Sequence, residues 1–145
     1  MYQESGSLTL HTSQYKVRYY DTDLSTAVFF ANYLKWFDSI AIIDFLRNRG
    51  IFWDQLFGDN MDAVVASVNF DYKSSVFLDD LLDITIEEVK IGNKSIRFSG
   101  AIYKHQTGEL VAQGSMVYVI VEYSSRSAVT VPEVIREKLD FNSSI

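Results

Sequence analysis

Residues 32–48 carry a helical pattern that is apolar around nearly its whole circumference, and this stretch restricts the fold most. Tyr33, Trp36, Phe37 and Ile40 recur at three- and four-residue spacing. Ala41, Ile42, Ile43, Phe45 and Leu46 extend the apolar surface to the remaining sides. A helix apolar on most sides has to be enclosed on most sides. At roughly 1.5 Å per residue it is about 25 Å long. Gly50 ends it behind Arg47 and Arg49, whose charge suits the negative end of the helix dipole.

The material to enclose it follows. Residues 63–72, 81–91, 95–104 and 110–123 alternate or run β-branched, the period of strands. Gly92-Asn93 and Thr107-Gly108 supply the turns of two hairpins. Ahead of the helix, residues 14–20 read as a half-buried strand with Tyr15, Val17 and Tyr19 on one face. The same parity carries Asp21 and Asp23 to that side. Residues 51–60 read as a loop or short turn with Trp53 and Phe57 folded back onto the core, and Pro132 opens a short helix over 133–139. One strand, one long helix and four successive strands predict an α+β architecture, an antiparallel five-stranded sheet wrapped around one central helix. The 145 residues fit a single domain, 1–145, with 1–12 and 140–145 expected to be flexible.

Composition narrows the function classes. A net charge of −6 argues against a nucleic-acid binder, and zero cysteines exclude a disulfide framework, a thiol nucleophile and thiolate metal sites. No run approaches the roughly 18 apolar residues of a membrane span. The polar residues 1–7 do not read as a signal peptide, so a soluble cytoplasmic protein is expected. His11 and His105 read as surface residues. Without a G-x-S-x-G elbow, neither has a serine nucleophile to serve. Asp44 interrupts an apolar helix face and is expected to pair with Arg47 or Asn48.

The chemistry concentrates where strand gives way to helix, in Tyr20-Asp21-Thr22-Asp23 followed by Val28-Phe29-Phe30-Ala31-Asn32-Tyr33-Leu34-Lys35-Trp36-Phe37. Carboxylates stand there beside a helix N-terminus, where free N–H groups carry partial positive charge. Taken alone, Asp-Thr-Asp is more often turn and capping chemistry than catalysis. The bend also lacks the further oxygen ligands that a metal site requires, so no metal is expected.

Over residues 14–139, the strand, the Asp-Thr-Asp, the helix opening and the meander together resemble the hotdog fold. More narrowly they resemble the 4-hydroxybenzoyl-CoA thioesterase family of acyl-CoA thioesterases. Asp79-Asp80-Leu81-Leu82-Asp83, Lys94-Ser95 and Val131-Pro132-Glu133 add support. The resemblance implies hydrolysis of an acyl-CoA thioester without a cofactor, Asp23 being the catalytic carboxylate and Asp21 structural. It implies that backbone N–H groups at about Phe30 and Ala31 polarise the carbonyl. Tyr19, Phe29 and Tyr33 would line the pocket, with Ser67 or Asn69 of a second chain, while Lys94, and with it Lys90 and Arg97, would meet coenzyme A. Phe30, Trp53 and the other aromatics suit aromatic and fatty acyl groups alike. The strand 63–72 would pair with its twin in a homodimer, with a dimer of dimers conceivable; otherwise Val64, Val65, Ala66 and Val68 form an exposed apolar edge.

Two departures stand out. Thr26 occupies a position where the family usually has glycine, and Phe30 one where some relatives carry histidine. Other expectations compete with the first. A thioesterase acting on acyl-carrier proteins is disfavoured by the charge of −6, since carriers are acidic too. A non-catalytic module that binds acyl-CoA or serves as an assembly domain is kept open by Thr26.

Overall fold

The structure, a computed structural model, describes residues 9–23 and 25–140, apart from the Phe57 side chain. Five strands, β1 (His11–Lys16), β2 (Met61–Tyr72), β3 (Leu81–Ile91), β4 (Ser95–Lys104) and β5 (Leu110–Glu122), form one antiparallel sheet in the order β1-β3-β4-β5-β2. The two hairpins make β3, β4 and β5 a meander, while β1 and β2 close its two edges. Helix α1, residues 31–48, crosses the inner face. It starts as α-helix over Ala31–Trp36, widens into π turns over Phe37–Ile42 and returns to α-helix over Ile43–Asn48. Among the described residues no helix is long and apolar enough to cross a membrane.

The core lies between that face and α1. Ile84 and Ile86 of β3, Phe98 and Ile102 of β4 and Ile120 of β5 are fully buried against a cluster that includes Phe37, Ile42, Phe45 and Leu46. Each such side chain contributes about 1.5–3 kcal/mol relative to exposure. Gly100 lets the helix approach closely. A Cβ there would stand 2.8 Å from the Phe37 ring and 1.9 Å from the Thr85 carbonyl oxygen. Asp38, on the α1 flank facing β5, accepts a hydrogen bond from the buried Tyr118 hydroxyl. Burial and that bond push the Tyr118 hydroxyl far above its ordinary pKa.

The first strand departs from expectation. It begins at His11, so 11 and 12 are strand rather than flexible, and it ends at Lys16. The expected flexibility of residues 1–8 and 141–145 lies outside the described residues. Asp21 accounts for the early end of the strand. Its carboxylate accepts bonds from the Arg18 N–H (2.9 Å) and the Tyr15 hydroxyl (2.7 Å), drawing the chain into a 3-10 turn over Tyr19–Asp21. Tyr19 consequently leaves the face of Val17 and is 74% exposed.

Residues 51–60 contain a short helix, α2 (Trp53–Leu56), and a 3-10 turn over Phe57–Asp59. Trp53 does fold back, onto Phe98 and Tyr118, whereas the expected position of the Phe57 side chain lies outside what the structure describes. The last helix, α3 (Glu133–Lys138), closes the end of α1, where Lys138 Nζ donates to the Gly50 carbonyl at 3.0 Å. His11 is half-buried rather than a surface residue, with Nε2 2.8 Å from Ser13 Oγ and its ring edge-on to Phe45. Asp44 accepts from Ser13 Oγ (3.1 Å) in place of the expected Arg47 or Asn48; Arg47 turns to Asp54.

Candidate active site

The segment that joins β1 to α1 folds into a narrow ribbon. Thr22 and Val28 form an antiparallel bridge, the Asp23 N–H donates to the Ala27 carbonyl (2.9 Å), and the Phe29 N–H donates to Asp21 (3.2 Å). Thr26 closes the tip through its N–H to the Asp23 carbonyl at 3.1 Å, with φ at +63°. A second seam ties the ribbon to the chain ahead of β3. Val28 donates to Val76 and Leu78 donates to Thr26.

This ribbon sorts the two carboxylates. Asp21 is 6% exposed and holds the local fold together, and its carbonyl also accepts from Asn32 Nδ2 at 2.8 Å, anchoring the start of α1. Asp23 is exposed near the tip. One of its oxygens, Oδ1, accepts from the Ser25 N–H (3.0 Å) and hydroxyl (3.1 Å); Oδ2 has no partner among the described residues.

At the helix mouth the Asn32 N–H donates to Phe29 and the Tyr33 N–H to Phe30. Among the described residues the N–H groups of Phe30 and Ala31 donate to no acceptor. They are therefore free donors at the positive end of an 18-residue helix. Only Val28 and Phe29 lie between Ala27, the partner of Asp23, and Phe30, a span of at most about 11 Å. Beside the mouth lies a cleft of about 310 Å³ lined by Val28, Phe30, Tyr33, Tyr72, Lys73, Ser74 and Ser75. Aromatic rings run through it. Phe29 meets Phe30 at 5.0 Å, Phe30 meets Tyr72 at 6.1 Å and Tyr72 meets Tyr33 at 5.3 Å between centroids. Burial raises the hydroxyl pKa of both Tyr33 and Tyr72.

A carboxylate with a free oxygen, two undonated N–H groups and an aromatic cleft are components for attack on a carbonyl. The profile of the Thioesterase-like superfamily matches residues 17–139, which span the ribbon, the helix and the whole meander. The chain belongs to the thioesterase-like superfamily. It is 31% identical over 129 residues to the long-chain acyl-CoA thioesterase FadM of Escherichia coli K12, covering 88% of this chain and 96% of FadM. Its architecture is the hotdog fold. A 1,4-dihydroxy-2-naphthoyl-CoA thioesterase from Synechocystis superposes with a TM-score of 0.83 at 15% identity, over 90% of this chain and 96% of that one. A Staphylococcus aureus protein solved in complex with CoA superposes at 0.80 and 16% identity, over 91% of this chain and 82% of that one.

Of the expected residues, Phe30 and Tyr33 line the cleft, Phe29 and Ala31 adjoin Phe30 in the chain, and Asp23 stands exposed on the ribbon, outside that lining. Tyr19 stands exposed on its 3-10 turn, outside the cleft. Trp53 packs at the far end of the core and is no part of the mouth. Ser67 and Asn69 lie on the outer face of β2. Phe70, next to Asn69, points inward onto Phe37 (5.0 Å between rings), so alternation turns Asn69 and Ser67 away. Lys90 and Arg97 are direct cross-strand partners on the outer face, and Lys94 sits in the adjoining turn. From Ala112, opposite Tyr72, to Val119, opposite Ser95, is seven residues of β5, about 23 Å at roughly 3.3 Å each. These cations therefore lie far from the mouth of their own chain.

Sequence reasoning missed Tyr72, Lys73, Ser74 and Ser75. The alternation of Val68, Phe70 and Tyr72 was the available signal for an inward Tyr72. Among the described residues, no cluster of three or more His, Asp or Glu is arranged to hold a metal ion.

Proposed function

We propose that this protein hydrolyses acyl-CoA thioesters to a free carboxylic acid and CoA, with Asp23 as the catalytic carboxylate. The observation that carries this reading is the pair of undonated N–H groups at Phe30 and Ala31, directly beyond the ribbon that presents Asp23 Oδ2. The thioester carbonyl oxygen sits on those donors, and charge developing on it is stabilised by about 3–4 kcal/mol for one well-placed N–H. Asp23 either attacks the carbonyl carbon or draws a proton from an attacking water. In the first route the carboxylate expels CoA thiolate, which takes a proton from water, and a second water opens the mixed anhydride. In the second, the proton taken from water passes to the departing thiolate.

A second copy completes the site. On β2, Val65 is 47% and Val68 41% exposed, an uncovered apolar edge that pairing with its twin would bury. Two-fold antiparallel pairing of β2 brings the partner's opposite sheet end, with its hairpin cations, alongside this chain's Tyr72. The 23 Å separation within one chain is thereby resolved. The acyl group runs along the inward residues Phe70, Val68 and Val65, a strip that accepts aliphatic or aromatic chains. The reading as a binding module rested on Thr26. Its backbone takes the left-handed conformation that a glycine there would supply, which favours catalysis.

The test is release of free thiol from a panel of short, long and aromatic acyl-CoAs. Asp23→Asn is expected to lower kcat by at least about 100-fold. Wild-type turnover in that variant, or tight acyl-CoA binding without turnover in the native protein, would overturn the reading.

A further inference from the structure

The cleft beside the helix mouth has two unlike walls. Val28, Phe30, Tyr33 and Tyr72 form an aromatic and apolar side; Lys73, Ser74 and Ser75 form a polar one. The polar side is fixed in place. Lys73 and Ser74 both donate their N–H groups to the Val111 carbonyl (2.7 and 3.3 Å), and Ser74 Oγ donates to Leu110 at 3.1 Å. Lys73 is thus an exposed ammonium on an anchored backbone. Among the described residues it has no acidic partner, whereas Lys16, Lys104, Arg47 and Arg126 each sit against a carboxylate. Arg18, Lys35, Lys90, Lys94, Arg97, Arg136 and Lys138 likewise have no carboxylate partner among the described residues, so what sets Lys73 apart is its place: it is the cation that lines the same cleft as Phe30.

We propose that Lys73 binds the diphosphate of coenzyme A; this rests on the thioesterase reading above and names the contact that orients its substrate. Two paths leave the carbonyl position. The strip of Phe70, Val68 and Val65 is apolar and suits the acyl group. The other passes between Tyr72 and the Lys73–Ser75 wall, which suits a polar arm ending in phosphate. A lysine meets phosphate as a point charge through short charge-assisted hydrogen bonds. The partner subunit's hairpin cations then remain for the ribose phosphate, so each anionic group of the substrate has its own cations.

The test compares the full-length wild type with Lys73→Gln and Lys73→Arg. Calorimetry measures the binding of CoA, 4′-phosphopantetheine and pantetheine, and thiol release measures turnover of the matching acyl thioesters. Lys73→Gln is expected to weaken CoA and phosphopantetheine about tenfold, leave pantetheine unchanged and raise KM without lowering kcat. Lys73→Arg is expected to retain most of the affinity. Equal weakening of all three ligands, weakening of CoA alone, or no change in any would overturn the proposal. So would a wild type that binds no CoA. A wild type that binds CoA but turns over no thioester refutes the catalytic reading, while the ligand series still decides the role of Lys73.

Discussion

Thr26 is the β-branched residue at positive φ among the described residues, and its strain can be tested quantitatively. A β-branched residue at φ +63° is held where its Cβ crowds the following carbonyl, at about 1–2 kcal/mol. Thr26→Gly removes that strain but adds about 0.5–1 kcal/mol of chain entropy to be lost on folding. The expected net change is a stabilisation of about 0.5–1 kcal/mol, a rise in Tm of about 2–3 °C for a domain of this size. Thr26→Ala keeps a Cβ at positive φ and should gain little. Thermal unfolding followed by circular dichroism at fixed pH and protein concentration reads both variants. The order is the discriminator, with glycine above alanine and wild type. If Thr26→Gly unfolds below wild type, or alanine stabilises as much as glycine, the strain argument is wrong. Turnover should change less than about twofold, because the bonds that shape the tip are backbone to backbone, Asp23 to Ala27 and Thr26 to Asp23.

Two further predictions concern the frame around the site. Asp21→Ala leaves the Tyr15 hydroxyl and the Arg18 N–H without an acceptor, and at about 1.5–3 kcal/mol per bond to a charged group it should cost about 3–5 kcal/mol. A urea midpoint showing a loss under about 1 kcal/mol would count against a structural Asp21. His11 has its pKa lowered by burial, partly offset by the nearby Asp44 carboxylate. The unfolded state then binds more protons than the folded one below about pH 6.5, so stability should fall as pH drops through that value. His11→Gln should remove this part of the slope, and identical profiles for variant and wild type between pH 7.5 and 5 would refute it.

How far the sequence could be read depended on whether the signal was local. The strands over Leu81–Ile91 and Ser95–Lys104 were legible to the residue because period-two patterning and a Gly-Asn turn agree. The helix was legible because little besides a largely buried helix is apolar around nearly its whole circumference. At β1 two signals conflicted. Alternation continued through Tyr19, but Asp21 reached back to the Arg18 N–H, and local side-chain bonding of this kind competes with strand ladders. The site divided the same way. Asp21 was readable as turn chemistry, whereas Asp23 depended on family resemblance. Phe30 and Tyr72 come together only through tertiary packing. Ser67 and Asn69 came from the family resemblance, as residues facing a second chain's pocket, and the inward Phe70 puts both on the outer face of β2.

The open flank of β2 follows from dimensions. Four inter-strand gaps of about 4.8 Å make the sheet about 19 Å wide, while a helix with its side chains is about 10–12 Å across. One helix cannot cover five strands. At the β1 edge long side chains close the difference, His11 meeting Phe45 and Tyr15 meeting Trp36. At the β2 edge Phe70 and Tyr72 reach α1 near its N-terminus. The next inward positions, Val68 and Val65, carry side chains too short to follow. A leucine or phenylalanine at either would begin to close the gap from within the chain. Two valines leave it open beside Tyr118 and Asp38, with an apolar floor leading away from the helix mouth. The same shortfall in width thus accounts for both proposed features of this flank, the seam for a second chain and the track for an acyl group.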